Sequence, residues 1–311
     1  MSAPAVPAAV PRLARPSTRP RTDRAGSFIE VLFRAQATVV YVFLYAPILV
    51  VVLFAFNDTQ GVAARWEGFS IRWFEIALGD PVVLKSLTNS FLVAIPNAIL
   101  ATAFGTMAAL GLQRASRRVR TVFEGLTYMS VIVPEIVIAL ATLVLFATGF
   151  DAIEAATGVK LRFGHATIIA AHVLFNTSLV LLLVRARLAG MDRTLAEASE
   201  DLFATPWRTF RQITFPLLLP AIVAGFLLSF TFSFDDYVIT TFVSGPGSST
   251  LPLFIFGQVR RGVTPETNAV AAMILGFTLL MLLVGQLVLT WQSRRAGRRG
   301  DAGMASVVTE A

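Results

Sequence analysis

The sequence predicts an all-α, polytopic membrane protein with six transmembrane helices, and three observations support that fold class. The 311-residue chain is 55% hydrophobic and only 14% charged, whereas soluble domains usually carry about 25% charged residues. The mean hydropathy is +0.71. Apolar runs of about 20 residues, the length of a helix that crosses a bilayer, recur along the chain. A membrane protein is therefore the default class.

The apolar runs set the order of the predicted elements. The first run carries no charge, the third contains Glu124 and Glu135, and the fifth contains the adjacent pair Asp235 and Asp236. The six predicted spans are residues 37–56, 90–112, 124–149, 166–184, 217–243 and 268–291.

The two ends of the chain differ from the apolar centre. Residues 1–35, rich in Ala, Pro and Arg, cannot bury a core and are predicted to form a flexible basic cytosolic tail. The six-helix transmembrane domain is predicted over 36–293, and a second cytosolic tail over 294–311. This gives one membrane domain with a polar segment at each end.

The positions of lysine and arginine predict the orientation. With the N-terminus in the cytoplasm, the cytosolic segments hold most of the 26 basic residues, including clusters at 114–120, 185–211 and 294–299. Both termini are therefore expected in the cytoplasm. This bias also explains the net charge of +7. Membrane lipid is therefore expected as a partner, and nucleic acid is not. The chain has no cysteine, which excludes disulfides.

The longest cytosolic segment between spans, at about 189–216, is polar and carries both charges. Glu197 and Asp201 lie early in it, and arginines follow. The Thr205-Pro206 step predicts a break between two short helices, since proline disfavours helix for the preceding residue. Two short helices with acidic and basic patches suit docking to a soluble partner; an ordinary solvated loop is the alternative.

This segment resembles the EAA loop of ABC importer permeases, which reads Glu-Ala-Ala, three residues, Gly, nine residues, then Ile-x-Leu-Pro. The corresponding residues here are Glu197-Ala198-Ser199, then Phe203, then Ile213-Thr214-Phe215-Pro216. The spacing is kept throughout. The resemblance implies a loop that docks a cytosolic ATPase, with Glu197, Ala198, Ser199, Asp201, Phe203 and Pro216 as coupling residues.

Phe203 is the main departure from the motif. Glycine at that position permits a tight turn or a close approach, and phenylalanine is not expected to do the same. The docking geometry is therefore expected to differ at Phe203.

Three further stretches resemble the second permease subunit of spermidine/putrescine importers. They are WEGFSIRWFEIAL after the first span, VIVPEIVIALATLVLF in the third, and the region around LSFTFSFDDYVITTF in the fifth. The resemblance implies the type I ABC importer permease fold and a bacterial inner-membrane location. It also implies three kinds of partner: a second permease subunit, two cytosolic ATPase subunits and an extracytoplasmic substrate-binding protein. The sequence has no G-x-x-x-x-G-K-[ST] phosphate-binding loop, so ATP hydrolysis is expected on the partner and this chain is not expected to be an enzyme.

The aspartate pair of the fifth span predicts a substrate path. Adjacent residues of a helix point about 100° apart, so only one of the two shares a face with the polar stripe of Ser229, Ser233 and Thr240. That residue is Asp236. Asp236 is therefore predicted to line a polar path, and Asp235 to pair with a neighbouring helix.

Glu135, Tyr237 and Ser233 complete the predicted pathway. Carboxylates facing a path attract a cation with two or more ammonium groups, and the Tyr237 ring adds cation–π attraction. Glu135 belongs to a stripe on the third span that begins at Glu124. The alternative interpretation is that these acids only tie helices together.

Neither a metal nor another cofactor is expected. His165 and His172 lie seven residues apart and can share a helix face, but no carboxylate is near them in the sequence. Two histidines alone make a poor metal site.

Several function classes compete on this sequence. A permease subunit of an ATP-driven importer for polyamines or a similar cationic amine accounts for the loop and the acidic stripes. An ABC permease for a different small solute also fits. A secondary transporter would use intramembrane carboxylates but leaves the loop motif unexplained. An intramembrane aspartyl protease needs two facing aspartates, which adjacent helical residues cannot supply.

Overall fold

The structure is a computed structural model that describes residues 24–59, 65–192 and 194–309. The described residues are mostly helical and contain no β-strand beyond one isolated bridge between Asn57 and Phe69. The chain divides into two compact units, Met1–Val50 and Val51–Ala311. The predicted all-α class is confirmed.

The first unit contains most of helix α1, which spans Arg24–Phe54. Every side chain from Glu30 to Val50 is exposed within the structure, and an apolar helix exposed on all sides is suited to lipid. The helix begins inside the predicted tail at 1–35, of which residues 1–23 lie outside the described residues.

The second unit contains the other helices. The first five of them are α2 Arg72–Gly79, α3 Pro81–Arg114, α4 Arg117–Ile132, α5 Glu135–Thr157 and α6 His165–Ala189. Two short helices follow, α7 Thr194–Asp201 and α8 Pro206–Thr209, with a π-helical turn at Phe210–Thr214. The last four are α9 Phe215–Asp235, α10 Val238–Val243, α11 Leu251–Val259 and α12 Pro265–Thr309.

Helices α3, α6 and α9 pack together at the centre of the second unit. Val180 of α6 fits between two glycines: a Cβ added to Gly105 of α3 would lie 2.7 Å from the Val180 Cβ, and one added to Gly225 of α9 would lie 3.2 Å from its Cγ1. Small residues allow close approach of membrane helices. This packing places the middle of α6 against both α3 and α9.

Six helices among the described residues are long and apolar enough to cross a membrane, as predicted. They are Glu30–Phe54, Pro81–Arg114, Glu135–Thr157, His165–Ala189, Pro206–Asp235 and Pro265–Leu287. Helix α12 continues to Thr309, into the predicted C-terminal tail.

Two predicted spans are wrong in detail, because each is divided by a break. The third, predicted at 124–149, divides between α4 and α5: Val133 is extended (φ −64°, ψ 133°) and Pro134 precedes the first residue of α5. Proline has no N–H to donate and pushes the residue before it out of helical geometry. The fifth, predicted at 217–243, ends as α9 at Asp235 and resumes as α10 at Val238.

Candidate functional site

The break between α9 and α10 separates the two aspartates. Asp236 is extended (φ −67°, ψ 129°), and Tyr237 follows at φ −113°, ψ −37°. The stretch from Leu228 to Val243 contains neither glycine nor proline. These backbone angles show that the prediction of one continuous helix through both aspartates is wrong. Because neither glycine nor proline is present, the cause of the break lies in side-chain contacts.

Asp236 is buried, and its carboxylate accepts hydrogen bonds from the start of α10. The donors are the Ile239 N–H at 3.3 Å, the Thr240 N–H at 2.8 Å and the Thr240 hydroxyl at 2.7 Å. These two backbone groups lie in the first turn of α10, where the helix has no carbonyl partner for them. The Asp236 carboxylate thus replaces the backbone carbonyl acceptors that a continuous helix would offer to these two N–H groups.

His172 of α6 contacts both sides of the break. Its Nε2 lies 3.0 Å from Asp236 Oδ2, and its Nδ1 lies 2.7 Å from the Ser233 hydroxyl on α9. The side chains of His172 and Asp236 are only 1% and 5% exposed. His172 thus has beside it a carboxylate that lies 64 residues away in the sequence. One signal was present in the sequence: a histidine in an apolar span requires a polar partner.

Glu135 joins this cluster from α5. It is half-buried, and its carboxyl group interacts with that of Asp236. Glu124, the other acid of the predicted stripe, lies on α4, before the break at Val133 and Pro134. Glu124 instead forms an ion pair with Arg185 of α6.

Asp235 is the exposed member of the pair. Its carboxylate accepts the Thr278 hydroxyl of α12 at 3.3 Å, so the predicted contact with a neighbouring helix exists and its partner is uncharged. Asp235 also lines a cavity of about 340 Å³ with Tyr237 and residues of α11 and α12. The structure thus buries the aspartate that was predicted to face a path and exposes the other.

Aromatic rings line the same cavity as Asp235. The rings of Tyr237 and Phe256 have centroids 4.1 Å apart. The guanidinium of Arg260 lies 4.9 Å from the Phe256 ring centroid, a distance at which a cation is attracted by the ring face. A carboxylate beside aromatic rings is a chemically suitable setting for an organic ammonium group.

His165 has a different role from His172. Its Nε2 lies 2.8 Å from Asn89 Oδ1 on α3, and the Asn89 amide donates to the Gly247 and Ser249 carbonyls. These contacts attach the start of α6 to α3 and the segment before α11. Within the described ranges no group of three or more His, Cys, Asp or Glu side chains is arranged to hold a metal ion.

The polar segment at 189–216 forms two short helices, as its proline predicts. The Asp192 carboxylate accepts the Thr194 N–H at 2.9 Å at the start of α7, which holds the pKa of Asp192 below its usual value. Ser199 is buried and its hydroxyl lies 2.8 Å from that of Thr209, which joins α7 to α8. Glu197 lies in the first turn of α7.

The remaining coupling candidates lie along the same segment. Asp201 ends α7, Pro216 is the second residue of α9, and the Ala198 carbonyl accepts the Leu202 N–H at 3.3 Å. Ala198, Ser199 and Asp201 thus lie on α7, and Pro216 lies at the start of α9. They do not converge on one point as the residues around Asp236 do.

Phe203 adopts the backbone conformation that glycine normally supplies. Its φ is +54°, and it is the one non-glycine residue with a positive φ in the described part of the chain. The expectation that phenylalanine cannot make this turn is therefore wrong. Its side chain is 95% exposed, beside Leu202 at 81% and Trp207 at 69%, so the turn presents three large apolar groups to the surroundings.

Comparison with known proteins identifies the family. Residues 101–298 match the model of the binding-protein-dependent transport system inner membrane component. The putrescine transport system permease protein PotI of Escherichia coli (strain K12) is 41% identical over 237 residues, 76% of this chain and 83% of that protein. The spermidine/putrescine transport system permease protein PotC of Haemophilus influenzae is 37% identical over 251 residues, 80% and 93% of the two chains.

Solved structures agree on the fold. A bacterial ABC transporter involved in the import of the acidic polysaccharide alginate superposes with a TM-score of 0.67 at 15% identity, over 88% of this chain and 99% of that chain. The MetNI methionine ABC transporter superposes with a TM-score of 0.52 at 15% identity, over 68% and 99%. The predicted type I importer permease fold is confirmed.

The family match covers more than half of the chain, and the relatives are aligned over most of their own length. The resemblance to ABC importer permeases is confirmed, and the relatives are transport components and not enzymes. The chain is a multi-pass inner-membrane protein and belongs to the family of inner-membrane components of binding-protein-dependent transport systems.

Proposed function

We propose that this chain is a permease subunit of an ATP-driven importer for polyamines such as putrescine and spermidine, and that Asp235 contacts the cation. Relatives at 41% and 37% identity are named as putrescine and spermidine/putrescine permeases. The observation that carries the proposal is the exposed Asp235 carboxylate beside the Tyr237 and Phe256 rings.

Asp235 and Tyr237 are the contact residues of this proposal. An ammonium group in the cavity gains a charge-assisted hydrogen bond from the carboxylate and attraction from the ring faces. Asp236 is less suited to direct contact because its carboxylate already has acceptor bonds to α10 and to His172. The substrate path is also supported by residues that stabilise the break between α9 and α10 without direct contact with the cation: Asp236, Ser233 and Glu135.

The segment 189–216 is the proposed coupling loop to a cytosolic ATPase. Glu197, Ala198, Ser199, Asp201, Phe203 and Pro216 follow the spacing of the EAA motif. The exposed side chains of Leu202, Phe203 and Trp207 supply apolar surface, which is uncommon on a cytosolic face without a partner.

The assembly implied by this function has four kinds of subunit. We propose a second permease subunit, two copies of the ATPase and an extracytoplasmic substrate-binding protein, with both termini of this chain in the cytoplasm. Co-purification with a P-loop ATPase, and putrescine uptake that requires ATP, are the expected results. Uptake driven by an ion gradient without ATP would instead indicate a secondary transporter.

Asp235→Asn tests the contact. In proteoliposomes that contain the complete complex, it should lower kcat/KM for putrescine uptake about fivefold, because a carboxylate–ammonium contact at a partly exposed site contributes about 1 kcal/mol. Asp151→Asn is the matched control, since Asp151 is an exposed carboxylate of α5 that does not line the cavity. Equal uptake by wild type and Asp235→Asn would show that Asp235 does not contact the transported cation.

A further inference from the structure

The break between α9 and α10 is not marked by glycine or proline in the sequence. Helix kinks arise from proline, from glycine, from a π-bulge or from a group inserted into the backbone ladder. The first two are absent from Leu228 to Val243, and the π-helical turn of this chain lies at Phe210–Thr214. The break therefore depends on inserted side chains.

Four buried side chains surround the break, and we call them the polar cluster: His172, Ser233, Asp236 and Thr240. Asp236 accepts the N–H groups of Ile239 and Thr240. In a membrane no water replaces such bonds, and each unsatisfied backbone group costs several kcal/mol. Asp236 thus makes the break tolerable at this depth.

His172 connects the polar cluster to a separate helix. It contacts Ser233 before the break, Asp236 at the break, and Thr240 Oγ1 after it at 3.3 Å. A single imidazole therefore holds the end of α9 and the start of α10 at fixed positions against α6. No other described side chain is recorded with hydrogen bonds to Ser233, Asp236 and Thr240 together.

We propose that His172 is a positioning residue for substrate recognition: it fixes the end of α9, which carries Asp235, and through Asp236 it fixes the break that places Tyr237 in the same cavity. Asp235 is the last residue of α9 and keeps the direction that this helix gives it, and His172 anchors that end of α9 through Ser233. The backbone angles at Asp236 set the direction of Tyr237, which a continuous helix through this point would change. The inference rests on the proposed function of Asp235 and names a residue that does not itself touch the cation.

The first test is a double-mutant cycle on putrescine uptake per assembled complex. His172→Ala should raise KM, and in that background Asp235→Asn should have an effect of less than about twofold, since residues that act through one another are not additive. His165→Ala removes the other histidine of α6 and is the control. In that background Asp235→Asn should still lower uptake about fivefold. A purely structural role for His172 predicts less complex, an unchanged KM per complex and a full Asp235→Asn effect; that result would overturn the proposal.

Two conservative variants separate positioning from general loss of packing. His172→Gln can still donate an N–H toward Asp236, whereas His172→Asn reaches only the Ser233 side. The glutamine variant should restore KM to within about threefold of wild type and the asparagine variant should not. Should His172→Ala fail to assemble, this comparison decides, and equal KM values for the two variants would refute the proposal.

The second test does not depend on transport. The chain has no cysteine, so Asp235→Cys reports the direction of side chain 235 by its rate of reaction with a water-soluble maleimide. Adding His172→Ala should slow labelling of the assembled complex at least about threefold, because thiol reactivity follows access, and adding His165→Ala should not. An unchanged labelling rate would overturn the positioning role. If labelling is slowed but Asp235→Asn does not change putrescine uptake, only the proposed contact with the cation is contradicted.

Discussion

The chain leaves helical geometry in two places that neither glycine nor proline occupies, at Asp236 and at Phe203. At Asp236 the break is buried and is held by His172 from another helix. At Phe203 the turn is exposed and is held by local backbone bonds, from the Phe203 N–H to the Glu200 carbonyl at 2.9 Å and from the Ala204 N–H to the Ser199 carbonyl at 3.1 Å. The first break is satisfied within the chain; the second carries backbone strain of about 1–2 kcal/mol.

The difference indicates how each region is used. A buried break at which the Asp236 carboxylate bonds both to α10 and to His172 keeps neighbouring side chains in fixed directions, as a recognition site requires. A strained turn persists only where its surroundings offset the strain, and the exposed rings of Phe203 and Trp207 suggest apolar contact with the proposed ATPase as that offset. Three substitutions test this comparison.

The largest effect is expected at the buried break. Asp236→Asn should lower the stability of the complex by up to about 3 kcal/mol, since one amide oxygen cannot replace both carboxylate oxygens that accept bonds from α10 and contact His172. Asp235→Asn should change stability little, because that side chain is exposed. Thermal unfolding of the purified complex, followed by light scattering and tryptophan fluorescence, measures both. Equal losses for the two variants would contradict the division of roles.

A smaller effect of opposite sign is expected at the exposed turn. Phe203→Gly should stabilise the isolated subunit by about 1 kcal/mol, because glycine adopts positive φ without strain and the ring makes little contact to lose. Phe203→Ala is the matched control: it removes the ring and keeps the strain. The glycine variant should therefore unfold at a higher temperature than the alanine variant. Identical unfolding midpoints would show that backbone strain at residue 203 does not determine the stability of the subunit.

The smallest effect is expected for the ion pair between α4 and α6. Glu124 and Arg185 join α4 to α6, with side chains 31% and 28% exposed. Glu124→Gln should cost about 0.5–1 kcal/mol, within the range of ion pairs near the surface. The same unfolding assay measures it. A loss as large as that of Asp236→Asn would mean that burial does not distinguish the two contacts.

Residues whose neighbours in sequence decide their structure were predictable. The division of the polar segment at 189–216 into two helices followed from Pro206. The break before Glu135 has its cause in Pro134, although the predicted span ran through it. The direction of Asp236 was not predictable by helical spacing, since spacing presumes that the helix continues beyond Asp235. Phe203 was misjudged for a related reason: a residue preference of 1–2 kcal/mol can be outweighed by the contacts around it.

The sequence by itself determined the membrane class, the six spans and the family motif, because these depend on hydropathy summed over about 20 neighbouring residues and on spacing along the chain. Only the tertiary structure decided which aspartate is exposed. The deciding contact joins His172 to Asp236, 64 residues apart, and it exists because α6 packs against α9. A buried hydrogen bond between distant residues leaves no periodic trace in the sequence, yet in a low-dielectric interior it outweighs the local tendency of the chain to remain helical.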